Sequence, residues 1–203
     1  MAGWDTVRVF TALLDTSVLW PSLQRDFLLS LAVQGLYRPA WSSAILEELE
    51  YHEAEKLNAR GVAGDEAARR ARRLVEHMRA AFHDAEVSGW EPLEGTFRLP
   101  DADDEHVVAA AVIARAGVIV TANLKDFPAD LLPADLQALP AAEFVFNTVS
   151  VDPLQSMRAI REIAGRSGRN GPTQSVDDVL NVLEIRYGMA DAVDLLRAHP
   201  ELG

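Results

Sequence analysis

A chain of 203 residues that is 49% hydrophobic and 25% charged can bury a sizeable core and is too apolar to be a disordered segment. It contains no cysteine, which excludes disulfides, thiolate metal sites and cysteine nucleophiles. A formal net charge of −12 opposes nucleic-acid binding unless cations or a local basic surface intervene.

The start, MAGWDTVRVF, lacks a basic region followed by an apolar one, and no stretch approaches the roughly 18 apolar residues of a membrane span. The expectation is a cytoplasmic chain with no membrane partner. The run VRVFTALLDTSVL (7–19) is rich in β-branched and large apolar residues and reads as a buried strand ending near Asp15. Pro21 opens a helix whose Leu23, Phe27, Leu28 and Leu31 share one face, and Gly35 closes it. YRPAWSS reads as a turn. Ser42 or Ser43 caps a second helix, AILEELEYHEAEKLNAR, and a third covers 64–82. The Gly- and Pro-containing stretch AEVSGWEPLEGTFRLPD reads as a loop, with a short strand at Glu86 and Val87. A helix is then predicted from Asp104 to about Ala116, closed by Gly117, with VIVTAN as another buried strand.

Strands that alternate with helices and lack polar alternation imply an α/β sandwich with a central parallel sheet covered on both faces. Beyond residue 150 there is no strand signal, only helical patterns at 152–165, 175–187 and 189–198, with GRSGRNGPTQS as a flexible connection. The expected organisation is an α/β domain over 1–150 and an all-helical extension over 151–203. The extension carries 6 basic and 8 acidic residues, which leaves 13 and 23 for residues 1–150, so the excess acid belongs to the first part.

Within that part the aspartates are placed suggestively. At 100° per residue, Val107, Val108 and Ala111 share the face of Asp104, so this acid is directed at the protein. Taken alone it is explained as a charge favouring the helix N-terminus. Asp15, however, ends the first strand, and Asp126 lies just past the strand VIVT. Ligands of open α/β sheets bind beyond the carboxyl ends of the strands. How close Asp101 and Asp104 come to that edge depends on topology. Converging carboxylates need a cation or raised pKa values. With oxygen ligands only, the cation is Mg²⁺ or Mn²⁺, whose chemistry suits a phosphodiester.

Four motifs occur in order: LLDTSVL, WSSAILEELE, DADDEHVVAAA and VTANLKDFP, with RDFLLSLA after the first. Together they resemble the PIN-domain ribonucleases, in particular the longer subgroup of VapC-type toxins from toxin–antitoxin pairs, some of which carry a helical C-terminal extension. The likeness spans about residues 10–147. It implies a PIN-like three-layer sandwich and an acidic pocket for Mg²⁺ or Mn²⁺ made by Asp15, Glu48, Asp104 and Asp126. Asp101 would be a nearby acid, and Asn123 and Thr121 would support the last corner. It also implies cleavage of single-stranded or looped RNA, often tRNA or rRNA, to a 5′-phosphate and a 3′-hydroxyl, inhibition by a cognate antitoxin, and a homodimer. Periodicity by itself rejects Glu47 and leaves Glu48 and Glu50 open; only the resemblance selects Glu48.

Other residues carry two readings. Arg25 faces a scissile phosphate or pairs with an acid. Thr16 and Ser17 serve the site or the turn, and Lys125 is a phosphate contact or a surface lysine. His106 stands 200° from Asp104 on a helical wheel and reads as structural; Asp103 reads as a capping or solvated acid, or joins the pocket through its loop. RRARR (69–73) binds RNA or forms a solvated face beside Asp65, Glu66 and Glu76. Phe127 and Pro128 anchor Asp126. The apolar stripes of the tail, Val179, Leu180, Leu183, Val193, Leu195 and Leu196, read as packing, or as an antitoxin groove. A different class, a non-catalytic PIN-fold module that binds protein or RNA, also fits. A dehalogenase-type phosphatase needs an acid where Ser17 stands, and a receiver domain fits the order of the acids poorly.

Overall fold

Five short parallel strands form the centre of the structure, a computed structural model that describes residues 10–168 and 172–198. They are β1 (Thr11–Leu14), β2 (Arg38–Ser42), β3 (Glu86–Val87), β4 (Val118–Val120) and β5 (Gln137–Leu139), in the spatial order β3-β2-β1-β4-β5. Every pairing is parallel, with Leu13 opposite Ala40 on one side and Ile119 on the other. Ala12, Leu13, Leu14, Ile119 and Val120 are fully buried, as expected of strands covered on both faces. The helices are α1 (Thr16–Leu19), α2 (Ser22–Val33), α3 (Ser43–Ala59), α4 (Gly64–Ala81), α5 (Glu105–Ala114), α6 (Ala141–Val151), α7 (Pro153–Arg166), α8 (Val176–Tyr187) and α9 (Ala190–Arg197). The α/β three-layer architecture and the C-terminal helices are those expected from the sequence. Among the described residues no helix is long and apolar enough to cross a membrane.

Several local expectations need correction. The stretch Tyr37–Ser43, read as a turn, contains β2, an interior strand. The Pro39 signal misleads because strand donors alternate: Arg38 N–H donates to Phe10 O on the β1 side, and Trp41 N–H to Ala85 O on the β3 side. Pro39 shares the Trp41 side, one level before β3 begins, so its missing N–H costs no ladder bond. β5 is three residues long and carries too little pattern to be recognised. Residues 7–9 of the first predicted strand lie outside the described residues. Its end is where the sequence placed it: Asp15 stops β1 and is the N-cap residue of α1 at φ −72°, ψ 155°. The helix α5 is closed by Arg115 in the left-handed region (φ 53°), not by Gly117.

The second helix begins as expected, with Ser42 Oγ accepting from Ile45 N at 3.1 Å. α3 and α4 pack on each other as a hairpin, α4 burying Ala67, Ala71, Val75 and Met78 along one stripe. The RRARR run faces outward, where Arg69, Arg70 and Arg73 meet Glu66 and Arg72 meets Glu50. The C-terminal helices pack α7 along α2 and α9 along α6, so their buried stripe, including Ile160, Val179, Leu183 and Val193, continues the hydrophobic core of the sheet domain. Arg166 Nη2 donates to Ser30 Oγ at 3.0 Å and Gln34 Nε2 to Glu162 Oε1 at 2.9 Å across this contact. Of the predicted connection 165–175, residues 169–171 lie outside the described residues, and Ser167 joins its two sides by accepting from Gln174 N at 2.7 Å.

Candidate active site

The strand order reverses direction at β1 and β4, and Asp15 and Thr121 are the first residues past the carboxyl ends of those two strands. Asp15 N–H donates to Val120 O at 3.1 Å, which ties the two strand ends together. This is the switch-point crevice where α/β sheets bind ligands. The topology also settles the position of Asp104. α5 feeds β4, so it runs antiparallel to the strands and its N-terminus lies at their carboxyl edge. A cleft of about 390 Å³ opens there, lined by Asp15, Thr16, Ser17, Trp20, Glu48, His52, Asp104 and Asn123.

Each acid is held differently. Asp15, 7% exposed, receives both the Ser17 hydroxyl (2.5 Å) and the Thr121 hydroxyl (2.7 Å) on Oδ2. Those hydroxyls accept in turn from Ala122 N–H (2.9 Å) and Asn123 N–H (3.0 Å). One carboxylate oxygen is thereby fixed by the loop after β4, and among the described residues no protein donor reaches Oδ1. Thr16 and Ser17, which the sequence left between site and turn, each hydrogen-bond both a carboxylate lining the cleft and backbone.

Glu48 projects from the second turn of α3 and is the glutamate the structure brings to the cleft; Glu50 faces Arg72 and Glu47 is exposed. Its Oε2 accepts from Thr16 Oγ1 at 2.7 Å, and its Oε1 lies 3.2 Å from His106 Nε2. Burial works to raise the Glu48 pKa, but the hydrogen bonds from His106 and Thr16 outweigh it and hold the carboxyl below its ordinary value. For His106 burial opposes the charged ring, and Glu48, aided by Asp15 and Asp104, more than compensates, so the imidazole titrates above its ordinary value. His106 Nδ1 is buried without a partner among the described residues. When the ring is neutral, the tautomer with its proton on Nε2 is therefore the one that satisfies it.

Asp104 is the acid most affected by its neighbours. Burial first, then the charges of Asp15, Asp101 and Asp126, push its pKa up from 3.8 to about 6, with His106 opposing. The helical wheel that separated His106 from Asp104 did not apply as drawn, because Asp104 sits in a 3-10 turn at φ −86°, ψ −5° before α5 begins. Asp101 is exposed and caps that turn by accepting from Asp103 N–H at 3.0 Å, while Asp103 is exposed, the solvated acid of its two expected roles. Asp126 is 8% exposed, lies in the turn Leu124–Asp126 outside the residues that line the cleft, and has Lys125 Nζ at 3.8 Å; Phe127 beside it is buried. Arg25 is turned away from the cleft: it is buried, donates to Leu19 O at 2.8 Å and lies 3.9 Å from Glu53. Burial lowers its pKa, against the charges of Asp26 and Glu53.

One contributor had no signal in the sequence beyond being one acid of many. Glu105, 3% exposed, accepts from the backbone N–H groups of Phe97 (3.1 Å), Arg98 (2.6 Å) and Leu99 (3.3 Å) and so pins the loop that leads into Asp101 and Asp104. Burial works to raise its pKa, and these amides outweigh it to leave it lowered. Replacing Glu105 by alanine leaves three backbone donors without their acceptor, that of Leu99 in a buried contact and the other two in part-buried ones, so the melting temperature is expected to fall by several degrees at neutral pH. Because the folded pKa lies below the unfolded one, this contribution is complete above pH 4.5 and disappears as pH falls through the lowered folded value. Thermal melts of both proteins from pH 7 to pH 3 check this; a gap independent of pH would disprove it.

Among the described residues no three His, Asp or Glu side chains stand close enough together to hold a metal ion. The chemistry of the donor set nevertheless suits a hard divalent cation: carboxylates and hydroxyls, no thiolate, and a carboxyl raised to about 6 by burial and by three other acids.

Comparison with known proteins agrees with this architecture. The family profile described as PIN domain matches residues 11–125, more than half of the chain and every residue lining the cleft, with Asp126 one position beyond its end. The chain is also 49% identical over 49 residues to "Putative ribonuclease VapC50" of Mycobacterium tuberculosis (strain ATCC 25618 / H37Rv), a match covering 24% of this chain and 29% of that protein. No solved structure matches. With the strand order, the acids at the switch point and a profile spanning β1 to the turn after β4, the chain belongs to the PIN-domain family.

Proposed function

We propose that the protein is a divalent-metal-dependent endoribonuclease of the VapC toxin type, cleaving tRNA or rRNA and neutralised by a cognate antitoxin. The catalytic unit is residues 1–150, with 151–203 as its helical extension, in a cytoplasmic homodimer. The observation that carries this reading is the convergence at Asp104. Four acids from three separate parts of the chain come close enough that burial first, then the charges of Asp15, Asp101 and Asp126, raise one carboxyl to about 6, and such perturbed groups cluster at functional sites. The ribonuclease name of the similar Mycobacterium tuberculosis protein supports it over the matched segment.

Asp15, Glu48, Asp104 and Asp126 are the residues that would hold Mg²⁺ or Mn²⁺. When bound, the cation supplies charge neutralisation at the scissile phosphate and activation of the attacking water. The protein's own part is orientation. Thr121 and Ser17 direct Asp15, leaving Oδ1 without a protein donor among the described residues; Thr16 and His106 hold Glu48 from opposite oxygens; Asn123 lines the cleft; and Asp101 sets the turn that presents Asp104.

The assay is cleavage of total RNA with Mg²⁺, with Mn²⁺ and with EDTA, followed by mapping of the new ends. Cation-dependent cuts bearing 5′-phosphate and 3′-hydroxyl are expected. Equal cutting in EDTA would overturn the metal assignment. A non-catalytic PIN-fold binding module is the second reading, favoured by the absence of a closed trio of ligands among the described residues; binding without cutting at any cation concentration would establish it.

The contact with Glu48 makes His106 a positioning residue. His106→Ala is expected to weaken Mn²⁺ binding by about tenfold, the lower end of what loss of such a supporting partner does, with His106→Gln recovering part of it. Titration calorimetry alongside melting curves separates this from a structural effect, which would lower stability and leave the affinity of the folded protein unchanged.

A further inference from the structure

A groove of about 670 Å³ lies next to the acid cleft, and Trp20 is a wall of both. Its sides come from three places in the chain: Trp20 at the end of α1, Lys56 and Arg60 at the end of α3, and Gln174, Arg186 and Tyr187 from the C-terminal extension. Trp20 is 43% exposed, with its indole N–H donating to His52 O at 3.3 Å and Lys56 Nζ 5.7 Å from the ring centre. The Arg186 guanidinium stands 5.7 Å from the centre of the Tyr187 ring.

The distribution of cations decides what this groove suits. The RRARR arginines are spent on Glu66 and Glu50, and Lys56 is held by Glu53. Among the described residues Arg60 and Arg186 form no ion pair, although the chain carries −12 overall. Two exposed, unpaired arginines beside an exposed indole, adjoining a cleft of carboxylates, match an extended polyanion whose subunits carry flat faces. Single-stranded RNA has both features: phosphates for the arginines and unstacked bases for an aromatic platform. A duplex offers no free base face to Trp20.

We propose that this groove binds the single-stranded RNA flanking the scissile phosphate, with Trp20 stacking on a base and Arg60 and Arg186 contacting phosphates, so that the C-terminal extension shares in substrate binding. The proposal rests on the ribonuclease reading and gives the extension a chemical task within it.

The test uses the full chain carrying Asp104→Asn in EDTA, so that nothing is cut, and a fluorescein-labelled, unstructured single-stranded RNA oligonucleotide read by anisotropy over a salt series. Arg60→Glu and Arg186→Glu are each expected to weaken binding by about tenfold and to reduce the salt slope by about 0.7, as loss of one phosphate contact from a single strand does. Trp20→Ala is expected to weaken it by about tenfold and to remove the RNA-induced quenching of indole fluorescence. Arg60 and Arg186 are exposed, so melting curves should show both variants folded, and Arg69→Glu, on the paired face of α4, should bind as the parent does. Parental affinity in both charge-reversed variants, an equal loss in Arg69→Glu, or no binding by the parent would each overturn the proposal. So would an acidic peptide that needs the two arginines where RNA does not, which would assign the groove to a protein partner. The two readings fail separately. A chain that cuts RNA with an indifferent groove loses only the subsite, and one that binds through the groove and never cuts loses only the nuclease.

Discussion

Asp104→Asn is expected to lower metal-dependent RNA cleavage by at least about 100-fold while making the metal-free protein more stable at neutral pH. The activity loss follows from removing one formal charge from the set that would hold the cation, which weakens both ion binding and activation of water. The stability gain follows from the raised pKa. In the unfolded chain the group ionises above 3.8, and in the folded one only above about 6, so folding favours the proton and the ionised acid is destabilising. At 1.36 kcal/mol per unit the shift corresponds to about 3 kcal/mol, and the partial solvent exposure of the side chain reduces this to about 1 kcal/mol. Asparagine keeps the shape without the charge. In EDTA at pH 7.5 it should melt about 3 °C higher than wild type, a difference that closes as pH falls from 6 toward 4. Opposite signs for activity and stability separate this from misfolding. Undiminished cleavage would remove Asp104 from the catalytic set, and an unchanged melting temperature at pH 7.5 would remove the repulsion.

Cutting the chain after Val151 is expected to abolish stable folding of the remainder. α7 packs along α2 and α9 along α6, and the helices beyond residue 151 bury Met157, Ile160, Ile163, Leu180, Leu183 and Leu196 in the same hydrophobic cluster that contains Leu28, Leu31 and Phe144. At about 2 kcal/mol for each large side chain removed from water, losing even half of this contact approaches about 6 kcal/mol, comparable with the whole stability of a modest domain. Two faces, one on α2 and one on α6, would be left open to association. Size-exclusion chromatography and a melting curve of residues 1–151 check the outcome, aggregation or a broad non-cooperative transition being expected. A monomer that melts cooperatively near the wild-type temperature would show that the extension is dispensable for folding.

How far the site could be read without coordinates differs from residue to residue. Asp15 was legible because a strand that ends in an acid is a local pattern, and α3 was legible down to its Ser42 cap because capping is decided within four residues. The choice between Glu48 and Glu50 was not legible from periodicity, since both flank the apolar stripe of α3; it is decided by what lies opposite, the cleft for one and Arg72 on α4 for the other. The angle that placed His106 away from Asp104 assumed one helix for both, whereas Asp104 belongs to the preceding 3-10 turn and His106 reaches an acid on another element. Arg25 and RRARR show the same limit for cations, because whether an arginine is available depends on which acids the fold brings to it. β2 was hidden because a proline weakens the strand pattern wherever it stands, and only pairing reveals that its missing donor had no partner to lose.

By itself the sequence determined most of the helices and the strands β1, β3 and β4, the parallel α/β character, the helical tail and the family resemblance, because apolar periodicity, caps and short motifs are properties of neighbouring residues. Only the tertiary structure decided the rest: that the N-terminus of α5 lies at the carboxyl edge of β1 and β4, that His106 and Thr16 grip Glu48 and Thr121 grips Asp15, and that the tail shares a groove with Trp20. These depend on strand order and on contacts between residues far apart in the chain, and burial and Coulomb interactions act on distance in space, for which sequence separation carries no measure.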